Sequence, residues 1–335
     1  MGFAAWLMNG KKKVDYQIDL TVSSDMGLFS RLFIYADYAM ERILHGISHA
    51  NYFEYEFCRK NRRCRKTFVC KKEAHAIYDL CNPEALRYLT GDKATFNKRF
   101  DAFLGRKWID IEQAEYEDFI QFLNGVDKFF TKPADGERGQ GMEIVINDRH
   151  LDLEPLYKYY KAQRMVLEEV ITQHPVMASL NPNSVNTIRI VTLRGADNGT
   201  NIMAAVLRIG RASEVVDNFH HDGICAAIDL GTGIVTTPGI NIRHERFVVH
   251  PDSGVPIVGF KIPNWEKVTD IIRAAAPLLP ELGLTGWDVA IGTDGEPMII
   301  EGNSTPDFDV TQIADQIGKA HLYRPIVAEL KKARN

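Results

Sequence analysis

The chain has 335 residues, room for two or three packed units rather than one small core. Hydrophobic residues make up 45% and charged residues 25%, the balance of an ordinary globular protein, and no apolar run approaches the roughly 20 residues that span a bilayer. Forty basic against 44 acidic residues give a formal net charge of −4, so no global field draws nucleic acid, which is not expected as a partner.

In chain order, Phe3-Ala4-Ala5-Trp6-Leu7-Met8 precedes Lys11-Lys12-Lys13, the reverse of a signal peptide. The stretch reads as a frayed terminus, with peripheral attachment to an anionic membrane surface as the alternative. A cytoplasmic location follows, the inner face of the membrane being its variant. Residues 1–90 read as mostly helical and irregular, with apolar residues at helical spacing from Leu28 to Ile47 and a break at Asn82-Pro83. The basic run Arg59 to Lys66 reads as a solvated face. Five cysteines without a Cys-x-x-Cys pair read as reduced thiols.

From Asp92 the pattern changes. Helices are expected over 92–104, 115–124 and 265–276, and a last one from about Val310 to Lys332. Strands are expected over 128–132, 142–146, 165–171, 187–193, 202–209, 224–230, 287–291 and 298–301. Short turns between consecutive strands predict a largely antiparallel sheet with helices on one face, an α+β fold. The division expected is a helical region 1–90, a smaller unit 91–165 with a Gly-rich flap, and a larger unit 166–335.

Thr293-Asp294-Gly295-Glu296 carries a tight hairpin signal. Taking 294 and 295 as the turn pairs 291 with 298, 289 with 300, and Asp288 with Glu301. The last pair puts two carboxylates about 5 Å apart, with Asn303 on the same side. Like charges so placed are destabilising unless neutralised, and three oxygen-bearing side chains suit magnesium. The competing reading is an exposed sheet face with both carboxylates in water.

Lys132 ends an apolar strand ahead of the loop Gly136-x-x-Gly139-x-Gly141, whose glycines let backbone amides approach phosphate oxygens. No Gly-Lys-Ser/Thr follows, so it is not a P-loop, and the strand after it argues against a dinucleotide turn. It reads as a flap over a triphosphate, an ordinary hairpin loop being the alternative. In Met165 to Ile171 the acidic pair Glu168-Glu169 is unusual for an apolar strand, and one carboxylate would accept from ribose hydroxyls or face solvent.

Lys93 in Gly91-Asp92-Lys93, Lys132-Pro133 with the glycine loop, Glu168-Glu169-Val170, and Asp288 followed by Glu301-Gly302-Asn303 together resemble the ATP-grasp superfamily over about residues 91–305. In detail the chain resembles the sugar-transfer-associated ATP-grasp proteins of bacterial polysaccharide gene clusters. Gln173-His174-Pro175, Ser184 to Arg189, Asp217-Asn218-Phe219, His250 to Gly254 and Gly286-Trp287-Asp288 carry that likeness. The resemblance implies an ATP-grasp fold with ATP and Mg2+ as cofactors. Lys93 and Lys132 would contact phosphates, with the loop amides of Gly139, Gln140 and Gly141 closing over them. Glu168, Glu169 and Val170 would line the adenine and ribose pocket, and Asp288, Glu301 and Asn303 would hold magnesium. Arg189 and Arg208 would steady the transferred phosphoryl group, with Asn218, His220 and His221 near the acceptor. The stretch is also similar to Asn-x-His-Arg-Gly-Gly of ribosomal-protein glutamate ligases, but here His221 replaces the arginine and Asp222 the first glycine. A Rossmann-like pre-grasp domain is not evident in residues 1–90.

The activity so implied is carboxylate–amine ligation through an acyl phosphate, joining a sugar-acid or other small carboxylate, or a peptide-like surface-polymer precursor, to an amine acceptor. The alternatives are a phosphotransferase with a hydroxyl acceptor and a non-catalytic nucleotide-binding module of a polysaccharide assembly complex. No Ser/His/Asp or Cys/His signature supplies a protein nucleophile.

Overall fold

A computed structural model describes residues 3–135, 141–148, 151–211 and 223–334. Two sheets organise it. Strands β1 (Trp108–Asp110), β2 (Lys128–Pro133), β3 (Glu143–Ile146) and β4 (Met165–Glu169) form the first, in the order β1-β4-β2-β3. The second contains β5 (Thr187–Arg194), β6 (Thr200–Ile209), β7 (Ile224–Ile228), β8 (Gly239–Ile240), β9 (Arg246–Phe247), β10 (Leu284–Ile291) and β11 (Pro297–Asn303), in the order β11-β10-β5-β6-β7-β8-β9. Every described pairing is antiparallel.

The larger sheet is covered on both faces, not one. Ile224, Ala226 and Ile228 of β7 join a core with Phe96, Phe100, Val268 and Ile272, from the helices Lys93–Leu104 and Trp265–Ala275. Cys225 and Ala227 point the other way, into a core with Ile18, Tyr52, Phe53 and Phe57 from the N-terminal helices. Strands buried on both sides need apolar residues at every position, and β7 reads Ile-Cys-Ala-Ala-Ile. The mostly helical N-terminal region thus supplies a packing layer. The smaller sheet has its own core, with Phe119 and Phe122 of Tyr116–Leu123 and Tyr157 and Tyr160 of Leu153–Ala162.

The expected single C-terminal helix is two, Phe308–Ile313 and Ala320–Arg334. Gly318, between them, lies so close to Thr67 that a Cβ there would stand 2.2 Å from its carbonyl carbon, and Gln312 Oε1 accepts from both Val69 N and Lys319 N. Close packing on the N-terminal layer ends the helix where apolar periodicity alone would carry it on. Nor is the basic run uniformly solvated: Arg65 pairs with Asp37 and Glu41, and Lys60 donates to Gln316 at 2.7 Å.

The hairpin between β10 and β11 is wider than a two-residue turn. Gly292 N donates to Glu296 O and Gly295 N to Gly292 O, both at 2.9 Å, leaving 293–295 as the loop with Gly295 at φ 83°. Ile291 therefore faces Pro297 and Val289 faces Ile299, one residue from the expected register. A bulge at Ile300 then shifts the ladder back, so Asp288 does face Glu301.

Candidate active site

Residues directly opposed in a ladder share a face, and the alignment of Glu301 with Asp288 and of Asp288 with Arg189 sets three charged side chains in a row across β11, β10 and β5. The row continues to Val206 on β6, and Arg208, two residues along, points to the same side. Arg189 donates to both oxygens of Asp288, through Nε to Oδ1 and through Nη2 to Oδ2, the latter at 2.9 Å. Arg208 Nη1 donates to Asp288 Oδ2 at 2.9 Å. Gly286 leaves space for this: a Cβ there would lie 3.4 Å from Arg189 Cδ and 2.7 Å from Pro306 Cβ.

Asp288 is 3% exposed. Burial pushes its carboxyl up, but the two guanidiniums prevail and hold it well below the ordinary carboxylate range. Glu301 goes the other way, raised by desolvation within the site and then by the Asp288 charge, with which it shares a hydrogen bond. It still keeps an exposed edge, so it is the member of the pair that solvent reaches. Its Oε1 accepts from Asn303 Nδ2 at 3.4 Å.

Lys132 arrives from the smaller sheet and Lys93 from the helix Lys93–Leu104. Lys132, on β2, donates to Glu168 Oε2 at 2.7 Å, and Glu168 Oε1 accepts from Asn97 Nδ2 at 2.9 Å. Arg106 completes the ring: Nε and Nη2 donate to Glu168 Oε2 at 2.9 and 2.7 Å, Nη1 donates to Ile299 O at 2.9 Å, and Nη2 reaches Ile300 O at 3.2 Å. One buried guanidinium thus ties β4 to the bulge of β11. Burial raises the Glu168 carboxyl, but Arg106 and Lys132 outweigh it and hold the group far below its usual range.

Lys93 opens the helix Lys93–Leu104, which Asp92 caps by accepting from Thr95 N at 2.8 Å. Gly302 lets this helix lie against β11, because a Cβ there would stand 2.7 Å from Phe96 Cε2. Its N-terminus is pinned to the end of β2, with Lys93 N donating to Ala134 O at 2.9 Å and Nζ to Pro133 O at 3.1 Å. Burial lowers the Lys93 ammonium, while the nearby Glu301 and Glu168 carboxylates oppose that fall and Lys132 adds to it. The two lysines and the carboxylate row therefore sit in one electrostatic neighbourhood built by both sheets. Beside it opens a cavity of about 950 Å³ lined by Asp92, Trp108, Asp110, Arg164 and Thr305, among others.

A family model described as sugar-transfer-associated ATP-grasp matches residues 74–327, more than half of the chain. The chain belongs to that family. Its α+β architecture is the ATP-grasp fold, preceded by the mostly helical N-terminal layer. Among solved structures it is similar to the ATP-grasp ligase PsnB complexed with precursor peptide PsnA2 and AMPPNP, at 16% identity and a TM-score of 0.43, over 72% of this chain and 59% of that one. D-alanine–D-alanine ligase from Bacillus anthracis complexed with ATP gives 16% identity and a TM-score of 0.44, over 73% of this chain and 67% of that one. The ADP complex of N5-carboxyaminoimidazole ribonucleotide synthetase gives 12% and 0.39, over 68% and 50%. The chain spans 59% of the length of that PsnB chain. A comparison with curated proteins gave no match.

In this ATP-grasp protein Asp288, Glu301, Arg189 and Arg208 come together by direct contact or ladder pairing, with Asn303 beside Glu301. Gly141, at φ 71°, packs near Pro133. Gly139, Gln140, Asn218, His220 and His221 lie outside the described residues. Glu168, expected to line a nucleotide pocket, has its carboxylate engaged by Arg106, Lys132 and Asn97. The main chain of the next two residues is also engaged, Glu169 N donating to Lys107 O at 2.8 Å and Val170 N to Lys128 O at 3.2 Å. No local pattern in the sequence marks Arg106 or Asn97 as a partner of Glu168. Arg106 follows the helix-capping Gly105, 62 residues from Glu168, and nothing local marks its reach.

Proposed function

We propose that the chain is an ATP-dependent carboxylate–amine ligase acting through an acyl phosphate. Its carboxylate would be a sugar acid or a peptide-like precursor of a bacterial surface polysaccharide. The observation that supports this most is the convergence of Arg189, Arg208, Lys93 and Lys132 with the Asp288–Glu301 pair. Phosphoryl transfer asks a protein chiefly for positioned positive charge and a metal-binding carboxylate, and this neighbourhood offers both.

The donor set fits magnesium. Glu301 and Asn303 are hard oxygen donors on the open side of the row. Magnesium is typically held by one or two carboxylates, with phosphates and water completing its shell. When bound, the ion would neutralise charge on the phosphate oxygens. Lys93 and Lys132 would hold phosphates, and Arg189 and Arg208 would steady the group in transfer. The substrate carboxylate oxygen attacks the γ-phosphorus and ADP leaves. An amine nitrogen then attacks the acyl carbon, phosphate departs with the C–O bond electrons, and the nitrogen gives up its proton. The cavity beside Lys93 adjoins Asn303 through Ser304 and Thr305, which gives the second substrate room.

The test is ADP release by the purified protein with Mg·ATP and a panel of uronic acids and short acidic peptides crossed with amino acids, products being identified by mass. An amide with ADP and phosphate is the expected outcome. A phosphoester would move the reading to a phosphotransferase, and nucleotide binding without turnover across the panel would favour a non-catalytic module.

A further inference from the structure

Helix Leu28–His45 has two apolar faces, and the fold covers one. Ile34 joins the core of Ile18, Tyr52 and Phe53, while Leu28, Phe29, Leu32, Phe33, Ile43 and Leu44 stand exposed, Phe29 at 88% and Ile43 at 80%. Their spacing gathers them on one side of the helix, in a stripe about 25 Å long at 1.5 Å per residue. Large apolar side chains so collected on a surface mark an interaction site.

The charge around the stripe identifies what fits it. The helix's own acids turn inward, Asp37 and Glu41 meeting Arg65 at 2.7 and 2.8 Å. Its exposed ionisable groups, Arg42 and His45, are basic. Arg62 adds a further cation, its Nη2 lying 3.3 Å from Met40 Sδ, and Lys72 another, its Cδ lying 3.7 Å from where a Cβ on Gly46 would be. At the other end Asp15 and Asp19 are engaged by Arg31.

We propose that this face lies on an anionic membrane surface. The phenylalanines and leucines enter the boundary between headgroups and acyl chains, and the basic rim meets the headgroups. The association is peripheral, since no described helix is long and apolar enough to cross a bilayer.

Co-sedimentation of the full-length protein with vesicles of phosphatidylglycerol and phosphatidylcholine in equal parts tests this. The wild type should bind, and binding should fall about ten-fold in phosphatidylcholine alone or at high salt. F29E/I43E should bind at least about ten-fold more weakly while its circular dichroism and melting temperature match the parent. R62E/K72E should lose several-fold on anionic vesicles at low salt. Should F29E/I43E fold poorly, F33Q repeats the measurement and must itself weaken binding. Failure of the wild type to bind, or binding unchanged in the folded stripe variants, would overturn the proposal. So would a dimer that F29E/I43E converts to a monomer, which would give the face to a second copy.

Discussion

Arg106 grips Glu168 with Nε at 2.9 Å and Nη2 at 2.7 Å, and the same guanidinium holds the carbonyls of Ile299 and Ile300 at the bulge of β11. Both side chains are 3% exposed. Removing one partner of such a pair strands the other charge in the interior, so Arg106→Ala should cost about 3–5 kcal/mol. Arg106→Lys should recover only part of it, because an ammonium cannot span three acceptors on two strands. Chemical denaturation of the three proteins checks this.

Asp288 and Glu301 are paired in one ladder, yet their removal should act oppositely on stability. Asp288→Asn leaves two largely buried guanidiniums without their counter-charge and should destabilise by about 3–5 kcal/mol. Glu301→Gln removes a carboxyl whose ionisation Asp288 opposes, and should melt at or above the parent temperature. Calorimetry without nucleotide compares the two directly.

Gly302 lies between Glu301 and Asn303 for a packing reason. A methyl at that position would press on Phe96, so Gly302→Ala should cost about 1–3 kcal/mol. Adding Phe96→Leu should return part of that loss, measurable as a double-mutant coupling in thermal unfolding.

Glu54 gives a pH dependence of its own. Burial, then Asp309 and Asp307, pushes its carboxyl up to about 8. Between about pH 4.5 and 8 the unfolded chain has released a proton that the folded chain still holds, so stability falls as pH rises through that window and the loss is complete above it. Glu54→Gln should therefore melt about 3–6 °C higher than the parent above pH 8 and match it near pH 4. A thermal-shift series across pH measures the difference.

How far the sequence foretold this site depends on what lies close in the chain. The facing of Asp288 and Glu301 follows from a short hairpin, but two displacements cancel in it: the loop is one residue wider than Asp294-Gly295 implies, and the bulge at Ile300 restores the register. The carboxylates therefore face each other as the hairpin predicts, while Val289 and Ile291 pair one residue away from the predicted register. The all-apolar run of β7 carried the signature of a strand buried on both faces, and the N-terminal helices provide the second cover. Arg106 could not be found this way, since its partners lie 62 and 193 residues along the chain and meet only when the two sheets dock. The break near Gly318 escaped for the same reason, being set by contact with Thr67 rather than by the helix itself.

Glu301 is the residue on which the proposed chemistry depends most directly. With a substrate pair that supports ADP release by the wild type, Glu301→Gln should melt no lower than the parent and lose turnover by about 10³-fold or more. A folded Glu301→Gln protein that releases ADP at the parent rate would contradict the assignment of chemistry to this row of charges.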